Sequence, residues 1–217
     1  MHSLPEMRIT LILFISILLN ASFVLGQDKA EEELFKKAHL ERVEAYRKEM
    51  NEKFKDSIRS PLIKEDIEDF EGLEFYDADP AYRVEATFTM NKKQKKFKMK
   101  TTTDRRPAYI KYAKVKFELK GQEYVLNVYQ NQGLMKKEGY EDYLFIPFTD
   151  LTNGESTYGG GRYIDIRIPN GDMVEIDLNL AYNPYCTYNY NYSCPIVPLE
   201  NHLPTRVEAG VLKYKEH

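Results

Sequence analysis

Tryptophan is absent from the chain, histidine occurs four times and cysteine twice in 217 residues. No histidine sits in the spacing of a zinc peptidase, and no Gly-x-Ser-x-Gly marks a nucleophile elbow. A conventional hydrolase is therefore not expected, although a triad is defined by geometry and not by order along the chain. Besides Cys186 and Cys194, the nearby residues able to ligate a metal are Glu200 and His202, and this spacing fits no standard zinc pattern. Neither a metal nor a cofactor is expected. A net charge of −3 removes the electrostatic basis for a nucleic-acid partner. Beyond the N-terminus, no apolar run reaches membrane-spanning length.

What is present begins with an apolar run over residues 9–19, preceded by Arg8. Val24 and Gly26 suit a signal peptidase site, with Gln27 the first mature residue. Residues 1–26 are expected to be a signal peptide and the protein to be exported, periplasmic or extracellular; an uncleaved anchor is the alternative. No cysteine follows the run, so no lipid is attached at the mature N-terminus. After cleavage no stable membrane insertion is expected. The remainder, about 190 residues, suits a single domain with a sizeable core. Two cysteines in an exported chain predict a disulfide between Cys186 and Cys194. Closing so short a loop would contribute about 2.5 kcal/mol.

Residues 29–54 read as an amphipathic helix. Phe35, His39, Val43, Tyr46, Met50 and Phe54 recur at steps of three and four, and Glu32–Lys36, Glu33–Lys37 and Glu44–Lys48 are favourable pairs on the wet side. Residues 27–60 thus form a helix and linker, and residues 61–217 a β-rich domain. A short helix is expected within residues 65–71 and a turn over residues 77–80. From Tyr82 the period becomes two. Strands are expected over residues 83–90, 96–102, 144–148, 162–168, 173–178 and, more weakly, 207–214. Six lysines over residues 92–100 read as a solvated hairpin that resists edge pairing.

One hairpin can be registered directly. With Lys120-Gly121 as its turn, Leu119 faces Gln122, Phe117 faces Tyr124, Val115 faces Leu126 and Ala113 faces Val128. The fold class is α+β: an N-terminal amphipathic helix followed by a mainly antiparallel β meander or small barrel.

A second hairpin is expected around residues 170–172. Matching Ile164, Ile166 and Ile168 to Val174, Ile176 and Leu178 sets Arg167 opposite Glu175 and Asp165 opposite Asp177. Two facing carboxylates need water, a cation or a shared proton. On a wet face they mean nothing; in a cavity they make an acid/base or cation site. The glycine run over residues 159–161 delivers Arg162 to the same hairpin, where it could grip an anion or neutralise Asp165.

The loop over residues 179–203 carries Pro184, Pro195, Pro198 and the tyrosines 182, 185, 188, 190 and 192. So many prolines and tyrosines suggest a loop held in one shape. Its rings either stack on a flat ligand or pack the loop onto the domain.

The segments FTDLTNGESTYGGGRYIDI (148–166), IDLNLAYNPYC (176–186) and CPIVPLENHLP (194–204) resemble a bacterial and archaeal family known as domain of unknown function 1684. The resemblance implies no activity. By match to its motif it marks Asp150, Thr152, Gly154, Tyr158, Gly161, Arg162, Asp165, Asp177, Asn179, Asn183, Cys186, Cys194, Glu200 and Asn201. Of these, Asp165, Asp177 and Glu200 are the catalytic candidates, and Arg162, Asp150, Tyr158, Asn179, Asn183 and Asn201 the ligand-binding candidates. The expected function is binding of a small polar or sugar-like ligand beside the disulfide-pinned loop. The alternative is a hydrolase-like enzyme using the carboxylate pair and Arg162.

Overall fold

The computed structural model describes residues 4–215, with side chains from residue 29 onward. The expected signal peptide lies outside the residues whose side chains are described. Helix α1 spans Leu4–Lys55, and the chain divides into two units, Met1–Arg42 and Val43–His217. The first is helical where described, and its residues 31–38 are exposed on all sides, so the apolar stripe expected there does not become a buried face. The second unit holds the end of α1 and the whole β-rich part. Here the spacing is expressed: Val43 and Phe54 are buried, Tyr46 and Met50 half-buried, and Glu44, Lys48 and Glu52 exposed. A four-residue helix α2, Lys64–Ile67, follows. Asp79 caps the turn at Pro80–Tyr82 by accepting from the Ala81 amide.

Seven antiparallel strands make one sheet that curls into a half-barrel: β1 Arg83–Met90, β2 Lys96–Lys98, β3 Ala108–Leu119, β4 Gln122–Asn131, β5 Tyr143–Phe148, β6 Arg162–Arg167 and β7 Met173–Asp177. The order is β6-β5-β4-β3-β1-β7, with β2 also paired to β3. The β3–β4 register is the one expected, Leu119 to Gln122 through Ala113 to Val128. Its turn needs left-handed backbone at both central residues, and Lys120 (φ 52°) and Gly121 (φ 76°) supply it. Alternation along β3 sends Ala113, Val115, Phe117 and Leu119 into the core, where they meet Leu126, Val128, Leu144, Ile146 and Ile164.

The expected β6–β7 hairpin does not form. β6 pairs with β5, setting Asp165 opposite Phe145 and Arg167 opposite Tyr143. β7 pairs with β1, setting Asp177 opposite Arg83 and Glu175 opposite Glu85. The two strands end the sheet on opposite sides. Ile164, Ile166, Ile168, Val174, Ile176 and Leu178 do share one core. Strands at the two edges of a curled sheet can face the same interior without pairing, and apolar matching alone cannot separate these cases. Two other strands are shorter than expected. β2 covers three residues, and residues 207–214 form an extended segment with a single bridge, Phe75 to Val211.

The disulfide is also corrected. Cys186 and Cys194 are separate thiols, and the Cys186 amide donates to Cys194 Sγ at 3.1 Å. The loop keeps its shape by other means. The Thr102 amide donates to Cys194 O at 2.9 Å, the Ile196 amide to Lys100 O at 2.9 Å, and Arg105 Nη2 to Ser193 O at 2.7 Å. Tyr188 is buried edge-on against Phe54, with centroids 4.8 Å apart, and against Tyr214 at 5.1 Å. Backbone bonds and aromatic packing therefore do what a covalent link was expected to do.

Candidate functional site: a tyrosine-walled cleft over Asp165

The residues named from the sequence separate into a buried framework and one side chain facing a cleft. Arg162 belongs to the framework. It is fully buried and pairs with the fully buried Asp150, Nη2 to Oδ2 at 2.9 Å. The guanidinium also donates to Val207 O at 2.8 Å and to Ala209 O. Asp150 Oδ1 accepts from Thr152 N and Oγ1 and from Val207 N. A buried charge must be paired and hydrogen-bonded, and here both Nη groups are, while Nε has no partner. Gly161 serves the same join. At φ +90° its added Cβ would lie 2.5 Å from Phe148 O. The glycine run thus permits close approach of backbone to backbone, not to a ligand.

Asp177 is buried at the end of β7 and caps the following turn, with Oδ1 accepting from Asn179 N at 3.1 Å and Asn179 Nδ2 at 2.9 Å. Asn179 in turn bridges both backbone groups of Asp79. Asn201 is a buried clamp, accepting from Asn127 N and Nδ2 and donating to Asn127 O and Pro147 O. Glu200 lies on the surface with Lys111 Nζ at 2.6 Å and Tyr129 Oη at 3.1 Å, and the lysine holds its carboxyl below the usual range. Tyr158 is half-buried beside the Cys186 thiol. The structure does not bring Asp165, Asp177, Glu200 and Arg162 to one place.

Asp165 is different. It sits on the floor of a cleft of about 540 Å³, a size typical of small-molecule sites. The wall includes the end of α1 (Tyr46, Glu49, Lys53), Tyr109 on β3, Leu134 and Tyr140 before β5, β5 itself (Tyr143, Phe145), Tyr163 on β6, and the loop after β7 (Tyr182, Asn183, Tyr185). Tyr143 Oη and Tyr182 Oη both donate to Asp165 Oδ1, each at 2.7 Å. Tyr182 reaches β6 because residue 182 forms a two-way backbone bridge with Tyr163, and their rings meet edge to face at 5.8 Å.

Asp165 is reached by solvent through the mouth of the cleft, while protein crowds it on the other sides. That burial raises its carboxyl above the usual range, opposed by the Tyr143 and Tyr182 bonds and by the charges of Arg167 and Lys53. Burial, and then the Asp165 charge, pushes the Tyr143 and Tyr182 phenols well up, so both remain neutral donors. Above the floor, Tyr46 Oη donates to Leu180 O at 3.1 Å, and Lys53 Nζ donates to Tyr185 Oη. The Lys53 ammonium also lies 5.1 Å over the Tyr185 ring.

Tyr182, Tyr185, Asn183 and Asp165 were visible in the sequence. Tyr46 was visible only as part of a packing stripe and Tyr163 only as a strand residue, while Tyr109 and Tyr143 lay outside every expected element. Among the described residues no cluster of His, Cys, Asp and Glu has the arrangement of a metal site.

A family model for proteins of unknown function, DUF1684, matches residues 68–212. An uncharacterised protein of Haloarcula marismortui, solved by solution NMR, is 35% identical. The match covers 84% of this chain and 98% of that one, with a TM-score of 0.64. No curated protein matches the chain. On the extent of the family match, this chain is a member of the DUF1684 family.

Proposed function

We propose that the protein is an exported small-molecule-binding domain and that the cleft over Asp165 receives the ligand. One observation carries this reading. Asp165 Oδ1 is saturated by two tyrosine hydroxyls while Oδ2 has no protein partner, at the floor of an aromatic cleft large enough for a metabolite. A carboxylate oriented by two buried phenols and open on one side is a preorganised acceptor. The aromatic wall provides area at low entropic cost.

The carboxylate-pair enzyme loses its geometry, because Asp165 and Asp177 lie on strands at opposite ends of the sheet order and Arg162 is consumed by Asp150. A general acid and a base within reach of one substrate atom are therefore not supplied by those residues.

A thermal-shift screen of amines, sugars, nucleotides and carboxylic acids against wild type and Asp165→Asn tests the reading. Compounds that raise Tm in wild type and lose that effect in the variant support it. Hits that stabilise both proteins equally would place binding elsewhere.

A further inference from the structure

The polar valences left open in this cleft are unequal in kind, and that inequality bears on the ligand. Four of the tyrosine hydroxyl protons are committed inside the protein. Tyr143 and Tyr182 donate to Asp165, Tyr46 to Leu180 O, and Tyr163 to Pro195 O. Tyr185 accepts from Lys53 and keeps its own proton. Asp165 lines the cleft, and its Oδ2 has no protein partner. Asn183, which lines it, is 1% exposed, and its Oδ1 has no partner while its Nδ2 donates to Leu212 O at 2.9 Å. Between these acceptors the wall offers the faces and edges of neutral phenol rings, whose quadrupoles attract positive charge.

An anion would meet Asp165 and Glu49 and find Lys53 as its one cationic partner. A cation would meet the Asp165 carboxylate and the surrounding rings. From these residues we infer that the ligand is an organic cation, a small molecule bearing a primary or N-methylated ammonium group. That group rests against Asp165 Oδ2 and the surrounding rings.

The inference rests on the cleft being a binding site, and the experiment separates the two claims. Amide spectra of the 15N-labelled protein are recorded at constant ionic strength with n-butylammonium chloride, tetramethylammonium chloride, n-butanol, sodium butyrate and glucose. The expected result is that the ammonium probes shift residues around Asp165, Tyr143 and Tyr182, whereas butanol, butyrate and glucose do not. Asp165→Asn keeps an acceptor for both tyrosines and so keeps the fold. It should weaken ammonium binding at least about tenfold, the loss of one charge-assisted contact in a partly desolvated site. Lys53→Gln, which removes the resident cation, should leave ammonium binding unchanged or tighter.

Butyrate binding that is lost in Lys53→Gln would overturn the cation and point to an anion. Glucose or butanol binding without ammonium binding would overturn the ligand class while leaving the cleft as a site. Ammonium binding of equal strength in Asp165→Asn would overturn the assigned contact. If no probe moves the cleft residues, both the ligand class and the site are wrong.

Discussion

Tyr182, in the loop after β7, donates a 2.7 Å hydrogen bond to Asp165 on β6. The bond joins the proline- and tyrosine-rich loop to the floor of the cleft, and Tyr143 repeats it from β5 at the same distance. The cleft depends on this pair of donors. They fix one carboxylate oxygen and leave the other turned to the space above.

Replacing Tyr182 with Phe keeps the ring and removes one donor. Burial then acts on Asp165 with less opposition, so its carboxyl should titrate higher than in wild type. The expected loss of stability is about 1 kcal/mol, the usual net worth of one such bond. Carboxyl-carbon NMR titration and urea denaturation measure the two effects. An unchanged Asp165 midpoint would show that the bond does not form in solution.

Asp165→Asn should be more stable than wild type at neutral pH. Because the folded carboxyl is raised, the folded state retains its proton to higher pH than the unfolded state does. Wild-type stability therefore falls as pH rises from the unfolded value through the folded one. The variant has no such group. Its advantage should be present above the raised value and shrink as the pH is lowered through it. The groups facing Asp165 are Tyr143, Tyr182, Arg167 and Lys53, and the variant leaves all four in place. Melting curves across acid to neutral pH check the sign.

Arg162→Met should be severely destabilising, by about 3–5 kcal/mol, because it strands the fully buried Asp150 carboxylate. The double variant Arg162→Met, Asp150→Leu should recover part of that loss by removing the stranded charge. Denaturant midpoints of the two proteins measure this. A single variant near wild-type stability would contradict the role given to Arg162 in the framework.

Cys186 and Cys194 should both be alkylated by iodoacetamide in folded, unreduced protein. Cys194 donates to the Cys186 sulfur, and this holds the Cys186 thiol down at about 7 while Cys194 is pushed up. The rate at Cys186 should rise through about pH 7, with Cys194 the slower site. Mass spectrometry of the labelled peptides reads both, and a mass lacking two hydrogens with no labelling would restore the disulfide.

Much of the fold was legible where the determinants are local. Lys120-Gly121 announces its turn, and the facing apolar residues of β3 and β4 set the register because a slip by one would turn Val115 and Leu126 outward. Helix α1 was legible as a helix, and of the residues in its expected stripe His39, Val43 and Phe54 are buried while Phe35 is exposed. The failures concern partners distant in sequence. Nothing near Arg162 says that Asp150, Val207 and Ala209 will close around it, so a buried framework charge read as a ligand clamp. Ile164 and Ile176 share a core from opposite sheet edges, which local matching converted into a hairpin. The cleft joins Tyr46, Tyr109, Tyr143 and Tyr182 across more than half of the chain, and no spacing rule links them. Asp165 was singled out through a pairing it does not make, and its setting among tyrosines became visible only in three dimensions.

The most direct test is the titration of the Asp165 carboxyl carbon, with and without saturating n-butylammonium. The account predicts a midpoint above that of a free aspartate in the protein alone, and a clear fall in that midpoint when the amine is bound, since a cation favours the ionised form. A midpoint at the free-aspartate value that the amine does not move would contradict it.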